Sequence, residues 1–245
     1  MILWPVVYSS GVSDTHGNFD FLPYFCDNHK TDVDDVLIIL GDAGILYYGE
    51  NKKREQVLKD HITVLPITLV CVRGNHEDRS TNRQNMETCT VCNKYYCGTF
   101  DYEPGYENIL YARDGYDYMF GDKLCLVVGG AYSVDKWHRI EMGYQWFVDE
   151  ELTDREMEEI KFNTKDKKYE YVFTHTCPYE WEPTDLFLSF IDQNSVSKRM
   201  EKFLSELTTN FEWDKWMFGH FHADRMDVCG DGKVTMLYNQ EVQIV

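Results

Sequence analysis

The chain has 245 residues, 43% of them hydrophobic and 15% aromatic, with a formal net charge of −18. That length and apolar content suffice for one large domain with a substantial core. The acidity argues against general affinity for nucleic acid or anionic membranes, which select basic partners. A phosphorylated small molecule stays open, because divalent ions would reverse the sign locally.

No stretch approaches the roughly 20 apolar residues of a membrane span. The apolar start, Met1 to Tyr8, is short and has no basic n-region, unlike a signal peptide. With eight cysteines read as reduced thiols, these features suggest a cytoplasmic protein without a membrane partner. Cys71 and Cys125 fall inside strand-like runs and read as small core residues.

In chain order, Pro5 to Val12 is expected to hold a first strand, ragged through Ser9, Ser10 and Gly11. It leads into Ser13-Asp14-Thr15-His16-Gly17-Asn18 and a helix over 19–28. The unbroken apolar run Val36 to Leu40 predicts a buried strand, which ends in Gly41-Asp42-Ala43-Gly44. An exposed helix is expected over 52–61. The next strand, Pro66 to Val72, runs into Arg73-Gly74-Asn75-His76-Glu77. Residues 78–122 are polar, Tyr-rich and short of long apolar runs, and read as a cap-like insertion.

Leu124 to Val128 resumes the core, and 129–147 reads as a loop carrying Tyr132, Asp135, Lys136, Trp137, His138 and Arg139. Thr153-Asp154-Arg155-Glu156 has capping-box spacing and opens an acidic helix. The acidic run Asp149 to Glu159 reads as a solvated face. Tyr169 to Phe173 is a strand ending at Thr174-His175. Val196, Met200, Phe203, Leu204 and Leu207 recur on one face of a helix over 194–207. Trp213 to Phe218 leads into Gly219-His220-Phe221-His222, and 234–238 is a last strand. No repeat, linker or low-complexity segment interrupts the chain, so a single domain over 1–245 is expected.

Several apolar runs therefore end in ligand-rich turns, and in open α/β sheets sites gather at the carboxyl ends of strands. Singly, these Asp, Asn and His residues are ordinary turn residues. As an ordered set they supply enough donors for two metal ions. His220 and His222, one residue apart in an extended segment, would project to the same side. Two divalent ions about 3.5–4 Å apart can clamp a phosphate and generate hydroxide near neutral pH. Asp42 suits a bridging carboxylate. Asp14, His16 and His222 suit one ion, and Asn75, His175 and His220 the other. Mixed N and O donors favour Mn, with Fe, Zn or Ni as alternatives. His76 is left to assist the leaving oxygen. Arg73 could hold a phosphate oxygen, or be a salt-bridged residue. His138 and Arg139 could reach substrate from their loop. Cys89, Cys92 and Cys97 include a metal spacing but lack an evident fourth ligand.

Asp14-x-His16, Gly41-Asp42, Gly74-Asn75-His76-Glu77, His175 and Gly219-His220-x-His222 occur in an order that resembles the calcineurin-like metallophosphoesterase superfamily. The resemblance spans residues 14–222. The segments 129–136 and 174–178 are similar to those of uncharacterised bacterial and phage members. It implies an α/β fold, a four-layer α/β/β/α sandwich of two mixed sheets flanked by helices. It also implies a dinuclear metal centre and hydrolysis of a phosphate mono- or diester, with a small-molecule or nucleotide-type substrate. The Asp-Arg-Gly extension that protein phosphatases carry after Gly-Asp is missing, since Ala43-Gly44 follows Asp42. The alternatives are a protein phosphatase or nuclease, or a catalytically silent metal-binding scaffold of the same fold.

Overall fold

The structure, a computed structural model, describes residues 7–10, 15–49 and 52–244, and for 7–10 the backbone alone. In chain order the helices and strands are β1 (Val7–Ser10), α1 (Leu22–His29), β2 (Val36–Ile39), α2 (Lys53–Thr63), β3 (Thr68–Cys71), β4 (Glu87–Cys92), β5 (Tyr96–Tyr102), β6 (Ile109–Ala112), β7 (Asp117–Phe120), β8 (Lys123–Val128), α3 (Lys136–Met142), α4 (Asp154–Thr164), β9 (Lys168–Thr174), α5 (Arg199–Leu207), β10 (Glu212–Phe218), β11 (Val234–Met236) and β12 (Glu241–Gln243). The strands join into one sheet in the order β11-β10-β9-β8-β7-β5-β6-β3-β2-β1-β12, with β4 beside β5. One continuous sheet thus stands where two were expected.

The sheet has two parallel parts. β1, β2, β3 and β6 run parallel at one end, and β8, β9, β10 and β11 at the other. Antiparallel β5 and β7 join them. Alternate residues of each strand feed different cores, as the period of two requires. Ile38 and Val70 share a central core with Val127, Phe173 and Met217 from the other part, so the sheet curls and its two parts face one another. Leu37, Ile39 and Leu69 point outward to Leu22 and Phe25 of α1 and Ile62 of α2. Leu126, Val172 and Trp216 point outward to Met157 of α4 and to Met200, Phe203 and Leu204 of α5. Because both faces are covered there, the parts of these strands that cross the core read as apolar runs.

Three expectations need correction. Residues 78–122 are not a cap: they carry β4 to β7, and β6 pairs with β3 in the sheet. β5 alternates buried and half-buried residues, so it shows no long apolar run. Residues 129–147 are not all loop, because α3 forms there and ends at Gly143 in the left-handed conformation. α3 buries no residue, so its sequence carries no inward apolar stripe. α2 is not simply exposed. Glu55 and Lys59 turn inward and pair at 2.7 Å, with Glu103 and Arg83 adding partners to them.

The Cys-x2-Cys spacing is also resolved. Cys92 lies opposite Cys97 across the β4–β5 pair, while Cys89 lies opposite Phe100. Three residues apart on a strand, Cys89 and Cys92 project to opposite faces, so they do not share a tetrahedral site.

The expected capping box is present: the Thr153 hydroxyl accepts from the Glu156 N–H, and the Glu156 carboxylate accepts from the Thr153 N–H. Thr153→Ala should lower stability by about 1 kcal/mol, read as a shift in the urea midpoint without a change in slope.

Candidate metal centre

The ligand-rich turns all lie at carboxyl ends of parallel strands. Asp42 follows β2, Asn75 and His76 follow β3, His175 follows β9, and His220 and His222 follow β10. His16 follows the β1 strand, and its N–H donates to the Asp42 carbonyl at 2.9 Å, which lays the two turns side by side. Asp14 lies outside the described residues.

The backbone at these turns is unusual. His16, Asp42, His220 and His222 all have positive φ, at 46°, 48°, 69° and 50°. L-residues rarely adopt this region, and where they do the strain clusters at functional sites. The expectation that His220 and His222 project together from an extended segment is therefore corrected. The chain turns at both residues, and it is the turn that aims them. Gly41 and Gly74 are needed for close approach: a Cβ on Gly41 would sit 2.0 Å from His175 Nδ1, and one on Gly74 would sit 1.9 Å from Asp42 Oδ1.

Asp42 is buried and central. The His76 N–H donates to its Oδ1 at 2.7 Å, and His175 Nε2 lies 3.6 Å from Oδ2. Burial alone would push its pKa up, but His175, His76 and His16 around it hold it well below the usual carboxylate range. The rings of His175 and His220 are 4.9 Å apart, and His16 Nε2 lies 3.5 Å from His222 Nε2. Burial lowers the pKa of His16, His175, His220 and His222. Neutral imidazoles with free lone pairs are the form that binds metal.

One contact tests whether a cation fits. His175 Nδ1 donates to the Leu40 carbonyl at 2.8 Å, which leaves Nε2 as a lone pair. Nε2 faces Asn75 Oδ1 at 2.8 Å. The Asn75 amide is oriented by its Nδ2, which donates to Ser133 Oγ at 2.9 Å, so Oδ1 is an acceptor as well. Two buried acceptors at this distance need a proton or a cation between them, and burial disfavours the proton on His175. Asp42, Asn75, His175 and His220 could hold one divalent ion, and His16, His222 and Asp42 could supply part of the donor set of another. Among the described residues, no three His, Cys, Asp or Glu side chains form a finished coordination shell. Asn75 contributes an amide, and Asp14 is not among those residues.

His76 Nε2 receives two donors that cannot accept, Asn75 Nδ2 and Arg139 Nη2, each at 3.3 Å. Its ring proton is therefore on Nδ1 in this arrangement. Arg139, expected as a substrate residue, thus stands at the site, braced on Asp135 at 2.8 Å. His138 does not reach it. It is exposed on α3, with its ring against Tyr144. Arg73 is also corrected: its Nε pairs with Asp114, Nη1 donates to the Glu150 carbonyl and Nη2 to the Gly129 carbonyl. It is a buried brace rather than a phosphate clamp, and it lines a different cavity.

Sequence reasoning missed the support behind Asn75. Ser133 Oγ donates to Glu150 Oε2 at 2.5 Å, and Trp146 Nε1 donates to the same oxygen at 2.9 Å. Glu150 belongs to the acidic run read as a solvated face, yet it is buried. Glu77, beside His76, accepts the Gly74 N–H at 3.0 Å, and burial pushes its pKa up to about 8.

A model of the calcineurin-like phosphoesterase family matches residues 11–224. None of the curated proteins compared matches the chain.

Arg73→Ala would leave the Asp114 carboxylate and two buried carbonyls without their donor, and should cost about 3 kcal/mol or more. A full loss of activity with unchanged stability would instead make Arg73 a substrate residue. Glu77 holds a proton more tightly when folded, so its stabilising contribution is present below about 4.5 and lost as pH rises through about 8. In metal-free protein, Glu77→Gln should flatten that decline, measured as urea midpoints on either side of the window.

Proposed function

The chain belongs to the calcineurin-like phosphoesterase family, and on that premise we propose that it is a metal-dependent hydrolase of phosphate mono- or diesters with a dinuclear centre. The observation that carries this reading is the His175–Asn75 pair of facing acceptors beside the buried Asp42 carboxylate. The family uses divalent metals, and the nitrogen and oxygen donors here suit Mn best, with Fe, Zn or Ni as alternatives. Asp14, His16, Asp42 and His222 would hold one ion, and Asp42, Asn75, His175 and His220 the other. Such ions, when bound, supply Lewis acidity that neutralises phosphate charge and makes water a stronger nucleophile.

The chain's own residues do the rest. The Leu40 carbonyl and Ser133 fix the ring of His175 and the amide of Asn75, so the donors need no reorganisation when substrate arrives. His76 lies at the cavity wall, where its ring in the imidazolium form would pass a proton to the departing oxygen. The Arg139 guanidinium beside it offers charge to a phosphate oxygen and lies within 3.3 Å of the His76 ring.

The same reading extends to the fold. We read the curled sheet, with α1 and α2 outside one part and α4 and α5 outside the other, as a four-layer α/β/β/α arrangement in which the two parts of one sheet take the place of two sheets. The expected substrate is a phosphorylated small molecule, since the net charge of −18 disfavours general nucleic-acid binding. Among the described residues no helix is long and apolar enough to cross a membrane.

Turnover of p-nitrophenyl phosphate and bis-p-nitrophenyl phosphate with Mn should be abolished by chelation and restored by adding metal back. Asp42→Asn should lower kcat by at least about 100-fold and weaken metal binding. Normal turnover by metal-replete Asp42→Asn would make the site assignment wrong.

A further inference from the structure

The cavity holding the candidate ligands extends well beyond them. It has a volume of about 550 Å3 and is bordered both by Asp42, Asn75, His76 and His222 and by the segment 182–198. Leu186, Phe187, Leu188, Ile191 and Val196 of that segment, together with Phe221, make a largely apolar wall. Phe187 and Phe221 stack with ring centres 6.4 Å apart. A bare phosphate gains nothing from such a wall, so the wall matches the rest of an ester.

The same lining contains a buried acid. Glu201, in the first turn of α5, is 4% exposed. Its Oε1 accepts from the Thr176 hydroxyl at 2.9 Å. Its Oε2 is buried and has no hydrogen-bond partner among the described residues. The nearby cation does not fill that role, because Lys198 Nζ is paired with Glu182 at 2.6 Å. Burial pushes the Glu201 carboxyl up to about 7 against the pull of its hydrogen bonds. A buried acceptor left unmet is costly, and a donor arriving with the substrate would satisfy it once the carboxylate turns towards the cavity it lines.

We infer that the cavity selects phosphate esters whose alcohol portion joins an apolar body to an ammonium group, with Glu201 as the residue that receives the ammonium. This rests on the phosphoesterase reading for the reaction, though not for the binding. The apolar wall buries the body of the molecule, and the carboxylate supplies a charge-assisted contact that unsubstituted alkyl esters cannot make. Glu201 is a specificity residue in this account and takes no part in bond breaking.

The test compares n-alkyl phosphates from ethyl to octyl with their ω-hydroxy and ω-amino counterparts, using the Mn-loaded full chain. The matching alkylphosphonates, which cannot be hydrolysed at that bond, are titrated by calorimetry. At the chain length that spans the cavity, the amino compound should exceed the unsubstituted one by about tenfold or more in both kcat/KM and affinity. In Glu201→Gln that ratio should fall towards one. Hydrolysis of all three series with equal efficiency would overturn the inference and leave the phosphoesterase reading intact. An equal gain from the hydroxy compound would overturn the ammonium assignment. Phosphonates that bind with the amine preference, with no ester hydrolysed, would uphold the inference and sink the phosphoesterase reading.

Discussion

The structure depends on one hydrogen bond, from His175 Nδ1 to the Leu40 carbonyl. Leu40 follows β2 and His175 follows β9, so the bond ties together the two parallel parts of the curled sheet. It also decides which ring nitrogen keeps a lone pair. Gly41 sits between the partners because any side chain there would occupy the space of the imidazole. The same contact therefore links the two sheet parts, whose shared core packs them together, and sets the chemistry of the ring.

Around that bond, positive and negative demands are balanced within a few residues. Asp42 keeps its charge although buried, because histidines and the His76 N–H surround it. Burial acts in the opposite sense on the histidines and lowers the pKa of His175 and His220. Behind Asn75, the chain of Ser133, Glu150 and Trp146 holds the amide in one orientation. The site is thus prepared from two directions. Left-handed turns aim the donors, and a buried polar network outside the ligand set keeps them from rotating.

Much of this was legible in the sequence, and the rest was hidden for identifiable reasons. The strands β2, β3, β8, β9 and β10 read clearly because both faces are covered where they cross the core, which gives each a run of buried, mostly apolar residues. The turns after them read clearly because Asp, Asn and His follow at once. β4, β5 and β7 did not, since exposed and half-buried positions break up their apolar runs, and β6, though wholly buried, is only four residues long. α3 was invisible because none of its residues is buried. Arg73 and Glu150 misled for one reason: a sequence shows a charge but not its partner. Asp114 and two carbonyls hold Arg73 in the interior, and Ser133 and Trp146 draw Glu150 out of an acidic run. Arg139 reached the site only because α3 forms and carries it there. The aiming of His220 and His222 by left-handed turns is equally beyond pattern reading, because His is not a residue that announces positive φ.

The span of the His175–Leu40 bond has a kinetic meaning. Its partners are 135 residues apart in sequence, and closing so long a loop carries an entropy cost that must be met before the contact returns anything. The two parallel parts, with the strands between them, have to be largely in place before these atoms meet. The donor set is therefore complete only once both parallel parts are in place. A cation that needs donors from both parts would act as a latch: it would slow unfolding while doing little to speed the search that precedes it.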